Sequence, residues 1–297
     1  MDKDSKNSAL EKLILLLKLE KIEENIFRGK SEDLGFGSIF GGQVFGQSLS
    51  AAAKTIGKEK QAHSVHGYFL RPGNPELPVI YKVKNLRDGR SFSTRQVKAI
   101  QKGKIIFSMT ASFHIEENGF EHQSSMPDLP VPENLVSDLE YLRKIKDKLP
   151  EPIRKKLIRD KPVEIRQVNP VDPFKPEKKE PFKYAWLKAS GILPKDPLIH
   201  KLILAYASDF GFLPTSLYPH GQTFWGPEMA VASLDHSIWF HRKFKMDQWL
   251  LYSMESPSAS GSRGFNRGQI FNKDGVLVAS TAQEGLIRYK GSKSKKD

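Results

Sequence analysis

The stretch from Leu198 to Leu213 reads Leu-Ile-His-Lys-Leu-Ile-Leu-Ala-Tyr-Ala-Ser-Asp-Phe-Gly-Phe-Leu. Up to Ala207 it is apolar on nearly every side, which predicts a helix buried in a core rather than one lying on a surface. One carboxylate, Asp209, then follows. Because burial disfavours a charged carboxylate without partners, Asp209 is the first candidate for chemistry. The alternative, which this stretch alone favours, is that Asp209 only ends the helix, with Gly211 and Pro214 supplying the stop.

The rest of the chain repeats this arrangement of a helix followed by strands. A glycine-rich segment, 35–42, leads into a second predicted helix at 43–56, which has small residues along its length. Alternation with a period of two then predicts strands at His63–Leu70, Val79–Leu86, Phe92–Gln101 and Ile105–Ile115, and again at Ala230–Phe240, Trp249–Glu255, Gly264–Phe271 and Val276–Arg288. Helices followed by runs of antiparallel strands are typical of an α+β fold.

The two halves also resemble each other residue by residue. Lys102-Gly-Lys-Ile-Ile-Phe-Ser-Met-Thr-Ala-Ser in the first half matches Lys273-Asp-Gly-Val-Leu-Val-Ala-Ser-Thr-Ala-Gln in the second. The turn glycines Gly103 and Gly275 coincide, and so do Arg95 and Arg267 at the same offset. A duplicated unit is therefore predicted. Its two sheets could pair edge to edge, which would cover exposed strand edges.

These patterns divide the chain into four parts. Residues 1–115 are predicted to form the first unit, preceded by an amphipathic helix at 9–19 that carries its leucines on one face. A proline-interrupted linker follows at 116–160, and the second unit, at 161–288, carries the candidate catalytic residues. Residues 289–297 are a basic tail.

Composition limits the possible functions. With 297 residues and 38% hydrophobic content, the chain is long enough for two ordinary cores. No apolar run is long enough for a membrane span or fits a signal peptide, so no stable membrane insertion is expected. The absence of cysteine excludes disulfides, thiolate metal sites and a cysteine nucleophile. It is also compatible with a cytoplasmic location.

The net charge of +13 suggests a polyanionic partner, and nucleic acid, an acidic membrane surface and a phosphate-bearing cofactor all qualify. Much of the charge lies between Arg143 and Lys183 and in the tail, at Lys290, Lys293, Lys295 and Lys296. Neither run interleaves aromatic residues in a stacking pattern. A solvated surface is therefore favoured over a nucleic-acid groove.

Three polar residues interrupt the apolar pattern of the second half: Asp209, Ser233 near the start of a strand, and Gln283 inside the last strand. A strand-interior amide needs partners if it is buried. Together a carboxylate, a hydroxyl and an amide can hold a water, with the carboxylate accepting its proton and the other two orienting it toward an electrophilic carbon. None of the three has to become a covalent nucleophile.

Other arrangements fit less well. Asp235 and His236 are adjacent strand residues and would point to opposite faces, so they are not expected to meet as a dyad. His236 and His241 lack a third ligand at metal-site spacing, which favours core or surface histidines. Asp209-Phe-Gly211 resembles a kinase tripeptide, but the other kinase motifs are missing. Ser233 lies outside any Gly-x-Ser-x-Gly turn, which excludes the usual nucleophile elbow.

Several motifs together resemble the acyl-CoA thioesterase II family from about residue 10 to residue 288. They are Phe27-Arg-Gly-Lys-Ser, Ile39-Phe-Gly-Gly-Gln-Val-Phe-Gly-Gln, His66-Gly-Tyr-Phe-Leu-Arg-Pro-Gly, Leu86-Arg-Asp-Gly-Arg-Ser-Phe, Leu234-Asp-His-Ser-Ile-Trp-Phe-His-Arg and Gln283-Glu-Gly. The resemblance implies a double hotdog: two fused units, each a long helix wrapped by an antiparallel sheet. It also implies further assembly into a homo-oligomer, a dimer or a tetramer.

The same resemblance implies hydrolysis of acyl-CoA thioesters to free fatty acid and CoA by a water that an Asp, a Ser or Thr, and a Gln hold. By position in the motifs these are Asp209, Ser233 and Gln283, the three residues already singled out. The family often has Thr where Ser233 stands; Ser keeps the hydroxyl but loses the methyl that restricts its rotamer, so a less rigid site is expected. Peroxisomal relatives end in a Ser-Lys-Leu type signal, whereas this chain ends Lys295-Lys296-Asp297, which favours a cytoplasmic location.

Within this mechanism, backbone N–H groups near Gly41 and Gly42, at the start of the first long helix, are candidates to stabilise the oxyanion. The alternative is that these glycines only let helix and sheet pack closely. No cofactor or metal is expected, and part of the basic surface would meet the CoA phosphates. The competing functions are a hotdog enoyl-thioester hydratase or dehydratase, for which the helix offers only His200, and a non-catalytic protein that binds acyl-CoA or a polyanion.

Overall fold

The computed structural model describes residues 3–291 except residues 36, 150, 225 and 227, so the tail predicted at 289–297 lies outside it from residue 292 onward. The helices are α1 (Lys3–Leu17), α2 (Gly41–Ala53), α3 (Asp138–Lys144), α4 (Glu151–Leu157) and α5 (Pro197–Ala207). The strands are β1 (Glu20–Glu23), β2 (Ile26–Gly29), β3 (Lys60–Phe69), β4 (Val79–Asp88), β5 (Phe92–Gln101), β6 (Lys104–Ile115), β7 (Val163–Gln167), β8 (Phe182–Ala189), β9 (Met229–Ser233), β10 (Asp235–Phe240), β11 (Leu250–Ser260), β12 (Arg263–Asn272) and β13 (Leu277–Tyr289). A 3₁₀ helix spans Leu213–His220.

The strands of the described residues form one antiparallel sheet in the order β1-β2-β4-β5-β6-β3-β10-β13-β12-β11-β8-β7, and β9 pairs with β13 beside this path. Strand β3 belongs to the first half and β10 to the second, and they pair with Val65 opposite Ile238. The predicted edge-to-edge joining of two sheets is therefore confirmed. Four strands at the two ends of the sheet, β1, β2, β7 and β8, were not predicted; β1 is exposed along its whole length and β7 alternates weakly.

The two long helices pack against each other in the core. An added Cβ at Gly42 would lie 2.1 Å from the carbonyl oxygen of Tyr206, and one at Gly46 would lie 3.3 Å from that of Leu202. Residue numbers thus rise along α2 while they fall along α5, so the helices are antiparallel. Only glycine allows so close an approach at position 42, because any side chain there would collide with backbone. The C-terminal end of α5 therefore meets the N-terminal end of α2.

Helix α5 forms where the sequence predicts it, and its ends are defined by local chemistry. The Asp196 side chain accepts a hydrogen bond from the Leu198 N–H at 3.0 Å, and Pro197 occupies the first helical position, where its missing N–H costs nothing. The helix ends at Ala207, and Gly211 then adopts a left-handed φ of 64°. This turn carries the chain across the end of α2, with Asp209 at its centre.

A β-bulge divides the strand predicted at Ala230–Phe240 into β9 and β10. Ser233 lies opposite Gly285 and Ser237 lies opposite Ala282, so β9 and β10 share the partner β13 with one extra residue between them. In a regular strand, Ser233 and His236 would point to opposite faces. The extra residue puts both on the inner face of the sheet, as bulges beside functional sites often do.

The register corrects one equivalence between the halves. Arg95 on β5 lies opposite Ala111 on β6, and Asn266 on β12 lies opposite Gln283 on β13. Since Ala111 and Gln283 are related by the offset of the turn glycines, Asn266 and not Arg267 occupies the place of Arg95. Arg267 points outward, where it pairs with Glu255. The predicted match of the two arginines was wrong by one residue because the turn is one residue longer in the second half: Gln101 pairs with Lys104, whereas the Asn272 N–H bonds the Val276 carbonyl.

Candidate active site

Asp209 lies where the two central helices meet. Its Oδ2 atom would be 2.6 Å from a Cβ added at Gly41, so only glycine fits at the start of α2 beside this carboxylate. The first N–H groups of a helix have no acceptor within it, and the helix dipole makes this end positive. A carboxylate is favoured in such a place. Asp209 is partly exposed toward a cavity, so a small molecule can reach it.

Gln283 is the direct partner of Asp209. Its side chain is 1% exposed, and Nε2 donates to Asp209 Oδ1 at 2.7 Å and to His236 Nδ1 at 3.1 Å. The other amide atom, Oε1, is buried and has no hydrogen-bond partner among the described residues. The amide is thus fixed on one side and keeps an unused acceptor on the other.

Ser233 lines the same cavity as Asp209, beside the strand that carries Gln283. In the described part of the chain its hydroxyl makes no hydrogen bond to Asp209 or to Gln283. The structure therefore brings Asp209 and Gln283 into contact and places Ser233 on the wall of the shared cavity. A hydroxyl in that position can contact a molecule held beside the carboxylate.

The two glycines lie in different surroundings. Gly41 lines the cavity next to Asp209, whereas Gly42 faces the carbonyl oxygen of Tyr206 inside the helix pair. The packing alternative therefore accounts for Gly42. Gly41 retains the position that an oxyanion-binding N–H requires, at the cavity end of the helix.

His236 is the residue that the sequence analysis underrated. Its ring is fully buried, and it hydrogen-bonds Gln283 through Nδ1 and Ser208 Oγ through Nε2 at 2.8 Å. Burial lowers the pKa of His236 to about 4, and the nearby Asp209 carboxylate offsets only part of this effect. Asp235 points to the other face, where its carboxylate accepts the Glu284 N–H, so the predicted absence of an Asp235–His236 dyad is confirmed. The bulge between β9 and β10 is not visible in the sequence, so the contact between His236 and Gln283 was not predicted.

The cavity has a volume of about 1220 Å³. Much of its wall is apolar, including Leu13, Ile39, Phe40, Leu139, Leu142, Leu157, Val163, Ile165, Ala185, Leu187 and Met254. It also contains charged groups. Burial lowers the pKa of Lys161 to about 8 and lowers that of Lys183, whose Nζ donates to the Gly211 carbonyl at 3.1 Å. Burial raises the pKa of Asp138, which accepts a hydrogen bond from Gln167.

Other binding chemistry finds little support in the described residues. They contain no group of three or more His, Asp or Glu arranged to hold a metal ion, and none of their helices is long and apolar enough to cross a membrane. His200, the histidine considered for a hydratase, is buried, and its Nδ1 accepts the Met246 N–H at 2.9 Å. The Nδ1 atom of His200 is therefore already occupied by a backbone hydrogen bond.

The chain is similar to known proteins along most of its length. Two family models match the chain: "Acyl-CoA thioesterase N-terminal domain" at residues 31–114 and "Acyl-CoA thioesterase" at residues 153–286. Acyl-CoA thioesterase 2 of Haemophilus influenzae is 48% identical over 280 residues, which cover 94% of this chain and 98% of that protein. Human acyl-coenzyme A thioesterase 8 is 42% identical over 285 residues, covering 93% and 88% of the two chains.

Solved structures show the same fold. Acyl-CoA thioesterase II TesB2 from Mycobacterium marinum has a TM-score of 0.77 and 39% identity, with 94% of this chain and 99% of that chain covered. A protein of unknown function with a hot dog fold from Alicyclobacillus acidocaldarius has a TM-score of 0.76 at 19% identity, covering 93% and 98%. The predicted double hotdog is confirmed.

Proposed function

Because the chain belongs to the acyl-CoA thioesterase II family and is a thioester hydrolase, we propose that Asp209, Gln283 and Ser233 hold the water that cleaves acyl-CoA. The observation that carries this assignment is the 2.7 Å hydrogen bond between Gln283 and Asp209 at the cavity end of α2. It places a carboxylate and an amide with an unused acceptor side by side. Those are the groups that orient a water and remove its proton.

The reaction proceeds in two steps. Asp209 accepts a proton from the water as the water oxygen attacks the thioester carbonyl carbon, while Gln283 Nε2 holds the carboxylate in place and Ser233 Oγ orients the water. The tetrahedral intermediate then collapses, the C–S bond breaks, and the CoA sulfur takes the proton. The products are a free fatty acid and CoA.

Gly41 completes the arrangement. It lies at the positive end of α2 and lines the cavity, so its N–H group is suited to hold the oxyanion that develops on the thioester oxygen. The apolar wall of the cavity is suited to an acyl chain, since burying such a chain removes apolar surface from water. Basic residues at the surface would receive the CoA phosphates.

Asp209→Asn tests the role of the base. The substitution keeps the shape of the side chain and removes its basicity, so kcat should fall by about two to four orders of magnitude with an unchanged melting temperature. Thiol release from acyl-CoA reports the rate, and the chain has no cysteine to react with the dye. Asp196→Asn, at the opposite end of α5, is the matched control, since Asn caps a helix as well as Asp does. Full activity in the folded Asp209→Asn variant would reject the proposal.

We also propose that the protein is cytoplasmic, a location that the absence of cysteine supports, and that it assembles as a dimer or a tetramer. The division of the chain after residues 115, 160 and 288 belongs to the same proposal. Light scattering after size-exclusion chromatography measures the assembly state directly, and a monomer at micromolar concentration would reject that part.

A further inference from the structure

His236 makes contacts that fix its ring completely. The edges of Phe45 and Phe212 meet it at centroid distances of 4.9 Å and 5.9 Å, with both interplanar angles at 85°. Its Nδ1 lies 3.1 Å from Gln283 Nε2, and its Nε2 lies 2.8 Å from Ser208 Oγ. The ring is 0% exposed, so it reaches the reaction only through these neighbours.

The donor and acceptor of each hydrogen bond follow from the contact between Gln283 and Asp209. Gln283 Nε2 lies 2.7 Å from a carboxylate oxygen of Asp209, and two acceptors would repel each other there, so the amide must present its N–H. The second N–H of the same nitrogen then points at His236 Nδ1, which has to be an unprotonated acceptor. His236 is therefore neutral, with its hydrogen on Nε2.

The other end of the chain agrees with this assignment. Ser208 Oγ donates its single hydrogen to the Ala205 carbonyl at 3.0 Å, so it can only accept from His236 Nε2–H. Burial keeps His236 neutral, as its lowered pKa indicates. Each donor hydrogen in the series that links Ala205, Ser208, His236, Gln283 and Asp209 thus meets one acceptor.

The hydrogen bonds to Asp209 and His236 fix the orientation of the Gln283 amide. If the amide rotated by half a turn, Oε1 would face both the Asp209 carboxylate and the lone pair of His236 Nδ1, which are two unfavourable contacts. With the observed orientation, Oε1 is the one amide atom left without a partner among the described residues. The contact that the proposed reaction uses is the one from Nε2 to the Asp209 carboxylate.

We propose that His236 is a positioning residue that holds the Gln283 amide with Nε2 toward Asp209, so that the carboxylate keeps the orientation in which it takes a proton from the reacting water. The inference rests on the proposed role of Gln283 in thioester hydrolysis. His236 itself touches neither water nor substrate. The Ser208 hydroxyl acts one step further back, by selecting the tautomer of His236.

Two substitutions separate this role from simple packing. In His236→Asn the Oδ1 atom can take the place of Nδ1 as the acceptor from Gln283, whereas in His236→Gln the longer side chain reaches Ser208 and leaves Gln283 unsupported. We expect kcat to fall by about 10²-fold in His236→Gln and by less than about tenfold in His236→Asn, with KM changed by no more than about twofold. If only packing mattered, His236→Gln, which loses less volume, would be the more active of the two.

A double-mutant cycle decides whether His236 acts through Gln283. In a Gln283→Ala background the amide is gone, so adding His236→Gln should change kcat by less than about twofold. His200→Gln is the matched control, because His200 is also buried and hydrogen-bonded, yet it faces Met246. It should lower the melting temperature and leave kcat unchanged.

The outcomes are distinguishable. Effects of His236→Gln and Gln283→Ala that multiply in the double variant, or a His236→Asn variant less active than His236→Gln, would overturn the positioning role alone. An unchanged kcat in Gln283→Ala would overturn the proposed site assignment, and this inference with it.

Discussion

The two halves of the molecule share a framework but treat their buried polar groups differently. In the first half, Gln47 is fully buried, and both ends of its amide are used: Nε2 donates to the carbonyls of Leu16 and Lys30, and Oε1 accepts the Tyr81 hydroxyl at 2.6 Å. In the second half, Gln283 is equally buried but keeps Oε1 unpaired. The Gln47 amide is a structural tie with all its bonds made, whereas the Gln283 amide contacts the carboxylate of Asp209, the proposed base.

The same contrast holds at a position that the two units share. Arg95 is 3% exposed and donates to Thr55, to Asp88 and to the Arg87 carbonyl, so it braces the C-terminal end of α2. Asn266, which occupies the equivalent place, is fully buried, and neither atom of its amide has a partner among the described residues. The buried polar group is fully paired in the first half, and in the second half it is left unpaired opposite Gln283.

Replacing each of the two glutamines with alanine should give the largest difference in kcat between the halves. We expect Gln283→Ala to lower kcat by about 10²-fold, because the reacting water loses its orientation, with only a small change in the free energy of unfolding. Gln47→Ala should do the reverse: it leaves the Leu16 carbonyl and the Tyr81 hydroxyl unpaired, which costs about 1–3 kcal/mol for each buried group left without a partner, and kcat should not change. Urea unfolding and thiol-release kinetics on both variants make the comparison. Equal losses of kcat in the two variants would contradict the contrast between the two halves.

Arg95 and Asn266 test stability at the shared position. Arg95→Leu should lower the free energy of unfolding by about 1–3 kcal/mol, since the Thr55 carbonyl and the Arg87 carbonyl lose a donor. Asn266→Leu replaces an unpaired amide with an apolar side chain of similar size, so stability should stay within about 1 kcal/mol or rise. Thermal and urea unfolding measure both. A large destabilisation by Asn266→Leu would show that its amide is already paired in the folded protein.

The smallest effect is expected at Ser233. Ser233→Thr adds the methyl group that restricts the χ1 rotamer, so the hydroxyl should spend more time facing the reacting water. We expect kcat to rise by no more than about threefold, which corresponds to roughly 0.6 kcal/mol at the transition state. A steady-state assay with one acyl-CoA at saturation detects such a change, and Ser237→Thr on the outer face of β10 is the control. A tenfold loss would mean that the cavity has no room for the methyl.

Much of this fold could be predicted from periodicity. The two long helices, the strands that follow them and their edge-to-edge joining all follow from apolar spacing and from the internal repeat. The strands β1 and β7 could not, because short exposed strands at an edge carry little alternation and are stabilised by their neighbours. The error at Arg267 has a different source: the turn before β13 holds Lys273, Asp274 and Gly275, whereas the turn before β6 holds only two residues. Positions that precede the two turns are therefore offset by one residue.

The site was predicted in part. Asp209 and Gln283 were found as polar residues in apolar surroundings, and the structure brings them into hydrogen-bonding contact. His236 was noticed but set aside, because its neighbour Asp235 invited a dyad that strand geometry forbids. Its true partner is 47 positions along the chain, on the adjacent strand β13. Contacts of that kind depend on register, which one sequence does not reveal.

The antiparallel pairing of α2 and α5 has a consequence for the history of this architecture. In a symmetric dimer of identical single units, the two ends of such a helix pair would carry the same residues, and any change at one end would be copied at the other. Joining the units in one chain removes that constraint. The end at Gly41 and Asp209, the proposed reactive centre, could then diverge from the end at Thr55 and Arg95, where the buried arginine braces the helix.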